Sequence, residues 1–102
     1  MLQPSYFRQA GIPWSIIWNS DNSFDEDFRG RTLLDKYEMH INANLPPETQ
    51  RMALLHELLH LCSDVQLMDK QRLTEGQIRV VAQNLFEIFY HNEEIGIYLV
   101  KG

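Results

Sequence analysis

The sequence predicts a small α+β fold in which a short antiparallel or mixed sheet packs on two helices. Two segments, 13–19 and 37–45, alternate apolar and other residues with the period of a β-strand. Two later segments, 46–66 and 75–90, repeat apolar residues at helical spacing. A chain of 102 residues fits one domain, so we expect a single unit over residues 1–102.

The two predicted strands alternate in different ways. Trp14, Ile16 and Trp18 alternate in the first strand, and a polar stretch rich in turn formers follows at 20–31. In the second strand, YEMHINANL, the odd-numbered positions from 37 to 45 are apolar and the even-numbered positions are polar. This pattern predicts a strand with one face in the core and one face in water.

The first predicted helix begins near Pro47, where the missing proline N–H costs nothing. At 100° per residue its apolar residues form one broad stripe that we expect to face the core, with Cys62 as a buried small hydrophobe. His56, Glu57 and His60 are expected on the opposite side. The stripe consists of Leu54, Leu55, Leu58, Leu59, Leu61, Cys62 and Val65.

The second predicted helix begins with a capping box, in which Thr74 is the N-cap and Gln77 lies three residues later. It is expected to run from Glu75 to about Tyr90 and to end at Asn92 or Gly96. The apolar segment IGIYLV that follows is expected to pack back onto the body of the protein. The residues predicted to face inward are Ile78, Val81, Ala82, Leu85, Ile88 and Phe89.

The pattern HELLH at 56–60 predicts a metal site. Residues four apart stack on one face of a helix, so His56 and His60 can bind one ion at about 2.1 Å, the usual Zn–N distance. Glu57 lies 100° round the helix, close enough to take a proton from a water on that ion. The alternative is that the three are ordinary polar residues on the exposed side of an amphipathic helix.

A catalytic zinc site needs a third protein ligand and an open position. Glu75 is the predicted third ligand because it flanks the apolar stripe in the first turn of the second helix. Asp64, one turn after His60, better suits a hydrogen bond to a ligand histidine, and Glu87 is expected to face water. The alternatives are a carboxylate stabilised by the helix dipole for Glu75 and a solvated residue for Asp64.

Charge and composition exclude several other functions. The net charge is −5 and the nine basic residues form no cluster, which argues against a nucleic-acid surface. No apolar run approaches the length of a membrane span, and the N-terminus lacks the apolar core of a signal peptide. The single cysteine, Cys62, excludes an internal disulfide. Together these features predict a cytoplasmic location.

HELLH resembles the active-site motif of zincin metallopeptidases. The order strand, strand, HELLH helix and helix beginning at Glu75 is similar to the gluzincin arrangement. The pattern HELLH…TEGQIRVVAQNLFEIFYHN resembles compact gluzincin-like peptidases, the minigluzincins and small phage and prokaryotic metallopeptidase-like proteins. The resemblance covers about Tyr37 to Asn92.

The resemblance implies one zinc ion (Zn2+) held by His56, His60 and Glu75, with Glu57 as the general base. The protein would then hydrolyse peptide bonds through a metal-bound water activated by Glu57. The strand YEMHINANL would form the upper rim of the cleft, where a peptide or protein substrate could add as a further strand. The C-terminal segment NEEIGIYLVKG could cover the cleft and hold the enzyme latent.

Two other functions stay open on the sequence. The chain could be a non-catalytic zincin-fold module that binds a protein partner, with a structural or regulatory zinc, because little of the chain could form a subdomain below the cleft. It could also be a metal-free helical interaction domain. The residue that would stabilise an oxyanion is left open among His40, His91, Tyr37, Tyr90 and Tyr98, as is the oligomeric state.

Overall fold

The computed structural model describes residues 3–20, 28–66 and 72–101. These residues form four strands followed by three helices, which confirms the predicted α+β class. One sheet packs on the first helix, and the second helix packs on the first. The elements are β1 (Tyr6–Gln9), β2 (Ile12–Asn19), β3 (Gly30–Leu33), β4 (Glu38–Asn42), α1 (Pro47–Gln66), α2 (Glu75–His91) and α3 (Glu93–Lys101).

The sheet is mixed and has the strand order β1-β2-β4-β3. A tight hairpin joins β1 to β2, and both of its turn residues have positive φ: 52° at Ala10 and 80° at Gly11. Such a turn matches the right-handed twist of the flanking strands. Strand β1, absent from the sequence-based prediction, pairs antiparallel with β2, and β2 pairs parallel with β4.

Strand β3 was missed because it lies at the end of the predicted loop 20–31. Gly30 and Arg31 belong to this strand and pair antiparallel with β4, so the loop prediction is wrong for them. Residues 21–27 of that loop lie outside the described part of the chain.

Strand β4 pairs on both sides, which contradicts the prediction that a peptide could add to it. The sheet edge next to α1 is β3.

The core lies between the sheet and α1. Met39 and Ile41 of β4 have no exposed surface, which confirms the alternation predicted for this strand. The strand is shorter than predicted: Tyr37 lies in a turn with φ 53° and is half exposed, with its ring edge against Trp14. The buried cluster consists of Trp14, Ile16, Met39, Ile41, Ala53 and Leu61.

Helix α1 buries a narrower line of residues than the leucine stripe predicts. Among its described side chains the buried ones are Gln50, Ala53, Glu57, Leu61 and Ser63. Only Leu61 of these belongs to the predicted stripe, and the expectation that Glu57 lies on the exposed side is wrong. The leucines at 54, 55, 58 and 59 are half-buried, and the thiol-bearing Cys62 is exposed. A sheet covers only one side of a helix, so a wide apolar stripe leaves its flanks partly in water.

Gln50 is a buried polar residue with all of its side-chain contacts made inside the fold. Its amide nitrogen donates to the carbonyl oxygens of Ala43, at 3.1 Å, and Leu45, at 2.6 Å. Its amide oxygen accepts from Gln3 Nε2 at 2.6 Å. These bonds tie the first turns of α1 to the chain leaving β4 and to the N-terminal segment, so burial of the amide carries little penalty.

Helix α2 begins as predicted. The Thr74 hydroxyl accepts from Gln77 N, and the Gln77 side chain accepts from Thr74 N, which completes the capping box. The buried residues of α2 are Ile78, Ala82 and Phe86. The prediction of inward-facing residues is confirmed for Ile78 and Ala82, but it did not include Phe86. It is wrong for Val81, Ile88 and Phe89, which are exposed.

Helix α2 ends at its C-cap Asn92, and helix α3 follows immediately. The prediction that the C-terminal segment packs back onto the body is wrong. Helix α3 contacts α2 but has no buried residue, and Tyr98, Leu99 and Val100 are 65–80% exposed. No helix among the described residues is long and apolar enough to cross a membrane.

The contrast between core and α3 gives a first prediction. Ile41→Ala removes a fully buried side chain between sheet and helix, so we expect a loss of about 2–5 kcal/mol in the free energy of unfolding. Ile97→Ala, on the exposed surface of α3, should change it by less than about 0.5 kcal/mol. Urea unfolding of both variants measures the difference, and equal losses would contradict the packing described for α3.

Candidate metal centre

The two histidines of HELLH converge at the middle of α1. The Nε2 atoms of His56 and His60 lie 3.1 Å apart, and their ring centroids lie 4.8 Å apart. This geometry follows from their spacing, since residues four apart lie on the same helix face. Both side chains are about one-fifth exposed, so they are partly desolvated but remain accessible from solvent.

Glu75 meets both rings from the first turn of α2. Its Oε1 lies 2.8 Å from His56 Nε2 and its Oε2 lies 2.6 Å from His60 Nε2. One hydrogen bond ties the start of α2 to α1: Ser63 Oγ accepts from Leu73 N at 2.8 Å. Ile78, in the first turn of α2, is buried. The structure therefore brings together all three predicted ligands, His56, His60 and Glu75.

The ionisation of Glu75 reflects its neighbours. Burial alone would raise the pKa of its carboxyl group, but the nearby charges of His60 and His56 and their hydrogen bonds outweigh that effect. The net result is a pKa below the ordinary value, which favours the carboxylate form. A carboxylate is the form that binds a cation.

The donor atoms themselves fit a metal ion. Each histidine Nε2 can donate a proton to the Glu75 carboxylate, but two protonated nitrogens 3.1 Å apart would then oppose each other. A cation removes this conflict because both nitrogens can turn lone pairs toward it. Ligand atoms around tetrahedral zinc lie about 3.4 Å apart for bonds near 2.1 Å. The nitrogens and carboxylate oxygens here, at contact distances of 2.6–3.1 Å, need to spread only slightly.

Glu57 differs from Glu75 in its surroundings. It is buried beneath β3, and its Oε1 accepts a hydrogen bond from Thr32 Oγ1 at 2.8 Å. It can also present an oxygen within 4.8 Å of the ring nitrogens of His56 and His60. The carboxylate is therefore near the donor set but anchored to the sheet, whereas Glu75 contacts both rings directly.

Gly30 makes the position of Glu57 possible. A Cβ at residue 30 would lie 2.9 Å from Glu57 Cγ and 3.2 Å from Ile41 Cδ1. Both distances are shorter than ordinary van der Waals contact, so only a glycine lets β3 lie this close to α1. Gly30 and Thr32 alternate to the same face of β3, and together they form the roof over Glu57.

These residues line an open cleft of about 670 Å³ between β3, α1 and α2. Asp64 lines it, but among the described contacts it makes no hydrogen bond to either histidine. Glu87 is exposed and pairs with His91 at 3.3 Å, as expected for a residue that faces water. None of the residues proposed from sequence for an oxyanion lines the cleft: His40, His91, Tyr37, Tyr90 and Tyr98.

Sequence reasoning missed several residues that line the cleft, among them Gly30, Thr32 and Arg79. Gly30 lay in the stretch assigned to a loop and Thr32 was assigned to no element, so no strand alternation pointed them at Glu57. Arg79 had a usable signal, since it lies four residues after Glu75 on the same helix face.

The family comparison agrees with this geometry. A family model described as the IrrE N-terminal-like domain, Peptidase_M78, matches residues 15–97. The match runs from within β2, through the paired histidines, to the middle of α3. No curated protein and no solved structure gives a significant match to the chain.

The donor set predicts zinc binding that depends on each ligand. Wild-type protein should gain about 2.7 kcal/mol in the free energy of unfolding at a zinc concentration one hundred times Kd. His60→Ala and Glu75→Ala should lose most of this gain, whereas His91→Ala, outside the cleft, should keep it. Thermal unfolding with and without zinc, with elemental analysis, measures the effect. Equal gains in all four proteins would place the metal elsewhere.

The contact between Gly30 and Glu57 gives a separate prediction. Gly30→Ala should lower the free energy of unfolding by about 1–3 kcal/mol, because the added methyl group overlaps Glu57 and Ile41. Gly76→Ala is the matched control: its added Cβ meets only Thr74 Oγ1 at 3.9 Å. In helix α2 that change should stabilise by about 0.5–1 kcal/mol. Chemical denaturation compares the two, and a neutral Gly30→Ala would contradict the close approach of β3.

Proposed function

The chain belongs to the Peptidase_M78 family of IrrE N-terminal-like domains, a zincin-like metallopeptidase family, and from this premise we propose that it is a zinc-dependent peptidase. The observation that carries the proposal is the meeting of His56, His60 and Glu75 beside a separately anchored Glu57. In this proposal the first three residues hold zinc and Glu57 is the catalytic base.

A bound zinc ion supplies Lewis-acid polarisation of the scissile carbonyl and makes a neighbouring water more acidic. Glu75 would neutralise part of the charge of a bound ion, and His56 and His60 would hold the ion from α1. The half-exposed Glu75 side chain and the open cleft leave a side from which solvent and substrate can approach. Three protein ligands and one open position are the arrangement that catalytic zinc sites use.

Glu57 is suited to move a proton. One carboxylate oxygen is occupied by the Thr32 hydroxyl, which fixes the plane of the group, and the other oxygen can accept the proton of the attacking water. The same carboxyl group can then deliver that proton to the leaving amine. Its burial under β3 restricts its rotamers, so the carboxylate is held in place before substrate binds.

The substrate in this proposal is an extended peptide bound along β3. Strand β3 is the sheet edge that lines the cleft, and its backbone groups can pair with a peptide by β-augmentation. This assigns to β3 the role that the sequence assigned to β4. The scissile bond would then pass over the paired histidines, which line the same cleft as this edge.

Latency through the C-terminal segment has no supporting contact in the described residues. No residue of α3 lines the cleft, and α3 contacts the neighbouring helix α2. The proposed activity therefore needs no release of this helix. A cytoplasmic location remains part of the proposal, because an exposed free thiol at Cys62 suits a reducing compartment.

A non-catalytic module that binds a protein partner is the second candidate function. The exposed apolar side chains of α3 favour it, because contiguous exposed apolar surface often marks a site of protein association. On this reading zinc would be structural or regulatory, and Glu57 would have no chemical task.

Glu57→Gln separates the two functions. We expect the variant to retain zinc and to lose peptide hydrolysis by about 10²–10⁴-fold, because the amide cannot accept the proton. Glu87→Gln, a matched change on an exposed glutamate outside the cleft, should leave the rate unchanged. Hydrolysis of a quenched fluorescent peptide library, with zinc content measured in parallel, checks both. A Glu57→Gln variant that cleaves as fast as wild type would refute the role of Glu57.

A further inference from the structure

The cleft is richer in arginine than the rest of this acidic chain. Three of the nine basic residues, Arg29, Arg31 and Arg79, line it, although the net charge of the chain is −5. Three carboxylates line the same cleft: Glu57, Asp64 and Glu75. In the proposed function Glu75 holds the metal and Glu57 transfers the proton, which leaves Asp64 and the three arginines to meet the substrate.

Arg79 is the arginine of helix α2, which also carries the proposed ligand Glu75. It lies one helical turn after Glu75 on the same face, about 6 Å further along the helix axis. Its side chain is exposed, and no described carboxylate forms an ion pair with it. A guanidinium group beside a substrate cleft, with no partner among the described residues, can form a paired hydrogen bond to an incoming carboxylate.

Arg29 and Arg31 lie on the opposite wall. Because Gly30 and Thr32 face α1, Arg31 projects from the other face of β3, and Arg29 lies just before the strand. Both arginines line the outer lip of the cleft. The Arg31 guanidinium lies 5.8 Å above the Phe28 ring, a contact that restrains the side chain without neutralising it. Cationic groups therefore border the cleft on both walls.

We propose that this cleft selects peptides with an aspartate or glutamate side chain close to the scissile bond, and that Arg79 is the residue that recognises it. Arg29 and Arg31 contribute a weaker attraction at the lip. The proposal rests on the proposed function for the meaning of the scissile bond, but the binding preference can be measured without any cleavage. Lysine at the same substrate position should be disfavoured, since it would face Arg79.

The test uses zinc-loaded Glu57→Gln protein and three fluorescein-labelled decapeptides that differ only in a central Glu, Gln or Lys. Fluorescence anisotropy should show the Glu peptide binding about fivefold more tightly than the Gln peptide at low salt, with the difference shrinking near 1 M NaCl. Adding Arg79→Gln should abolish the preference, Arg79→Lys should keep part of it, and Arg79→Glu should reverse it toward Lys. Arg51→Gln, on the other side of α1, is the matched control and should keep the full preference.

Equal affinity for the three peptides, or a Glu preference that survives Arg79→Gln, overturns the inference. Circular dichroism of each variant separates loss of recognition from loss of fold. The same peptides given to wild-type protein test the proposed function independently. Cleavage without a Glu preference would contradict only the recognition by Arg79. A Glu preference in binding without cleavage would contradict only the proposed peptidase activity.

Discussion

The close approach of β3 to α1 is the constraint on which the rest of the site depends. Gly30 leaves just enough room for Glu57, and the Thr32 hydroxyl then fixes the carboxylate. Pointing Glu57 at the sheet sets the rotation of α1 about its own axis. At 100° per residue, His56 and His60 then both project to one side of Glu57, about 40° apart, so one contact aims the base and both histidines.

The second helix completes what that rotation begins. The rings of His56 and His60 project sideways from α1, so a third ligand must lie level with both of them. Glu75, in the first turn of α2, has this position. The capping box starts the helix at Glu75, while the bond from Leu73 N to Ser63 ties that start to α1. Glu75 also lies where the helix dipole favours a negative charge. The same placement therefore serves helix stability and convergence on the histidines.

Local sequence signals were enough to predict the parts of the site that lie on helices. The HELLH spacing and the capping box at Thr74 are read within a few residues, and both agree with the structure. The roof over Glu57 could not be predicted, because β3 has only four residues and its alternation is hidden by a glycine and an arginine. The buried line of α1 was also out of reach, since it is set by how much of the helix the sheet covers.

The parallel pairing of β2 with β4 has a consequence for how the chain folds. The β1–β2 hairpin and the β3–β4 pair join residues close in sequence, but Ser15 can meet Glu38 only after the intervening chain has closed into a loop. Loop closure of this kind costs entropy before any contact repays it. The β1–β2 and β3–β4 pairs can therefore form early. Gly30 and Thr32, Glu57 and α2 reach their final arrangement only when β2 pairs with β4.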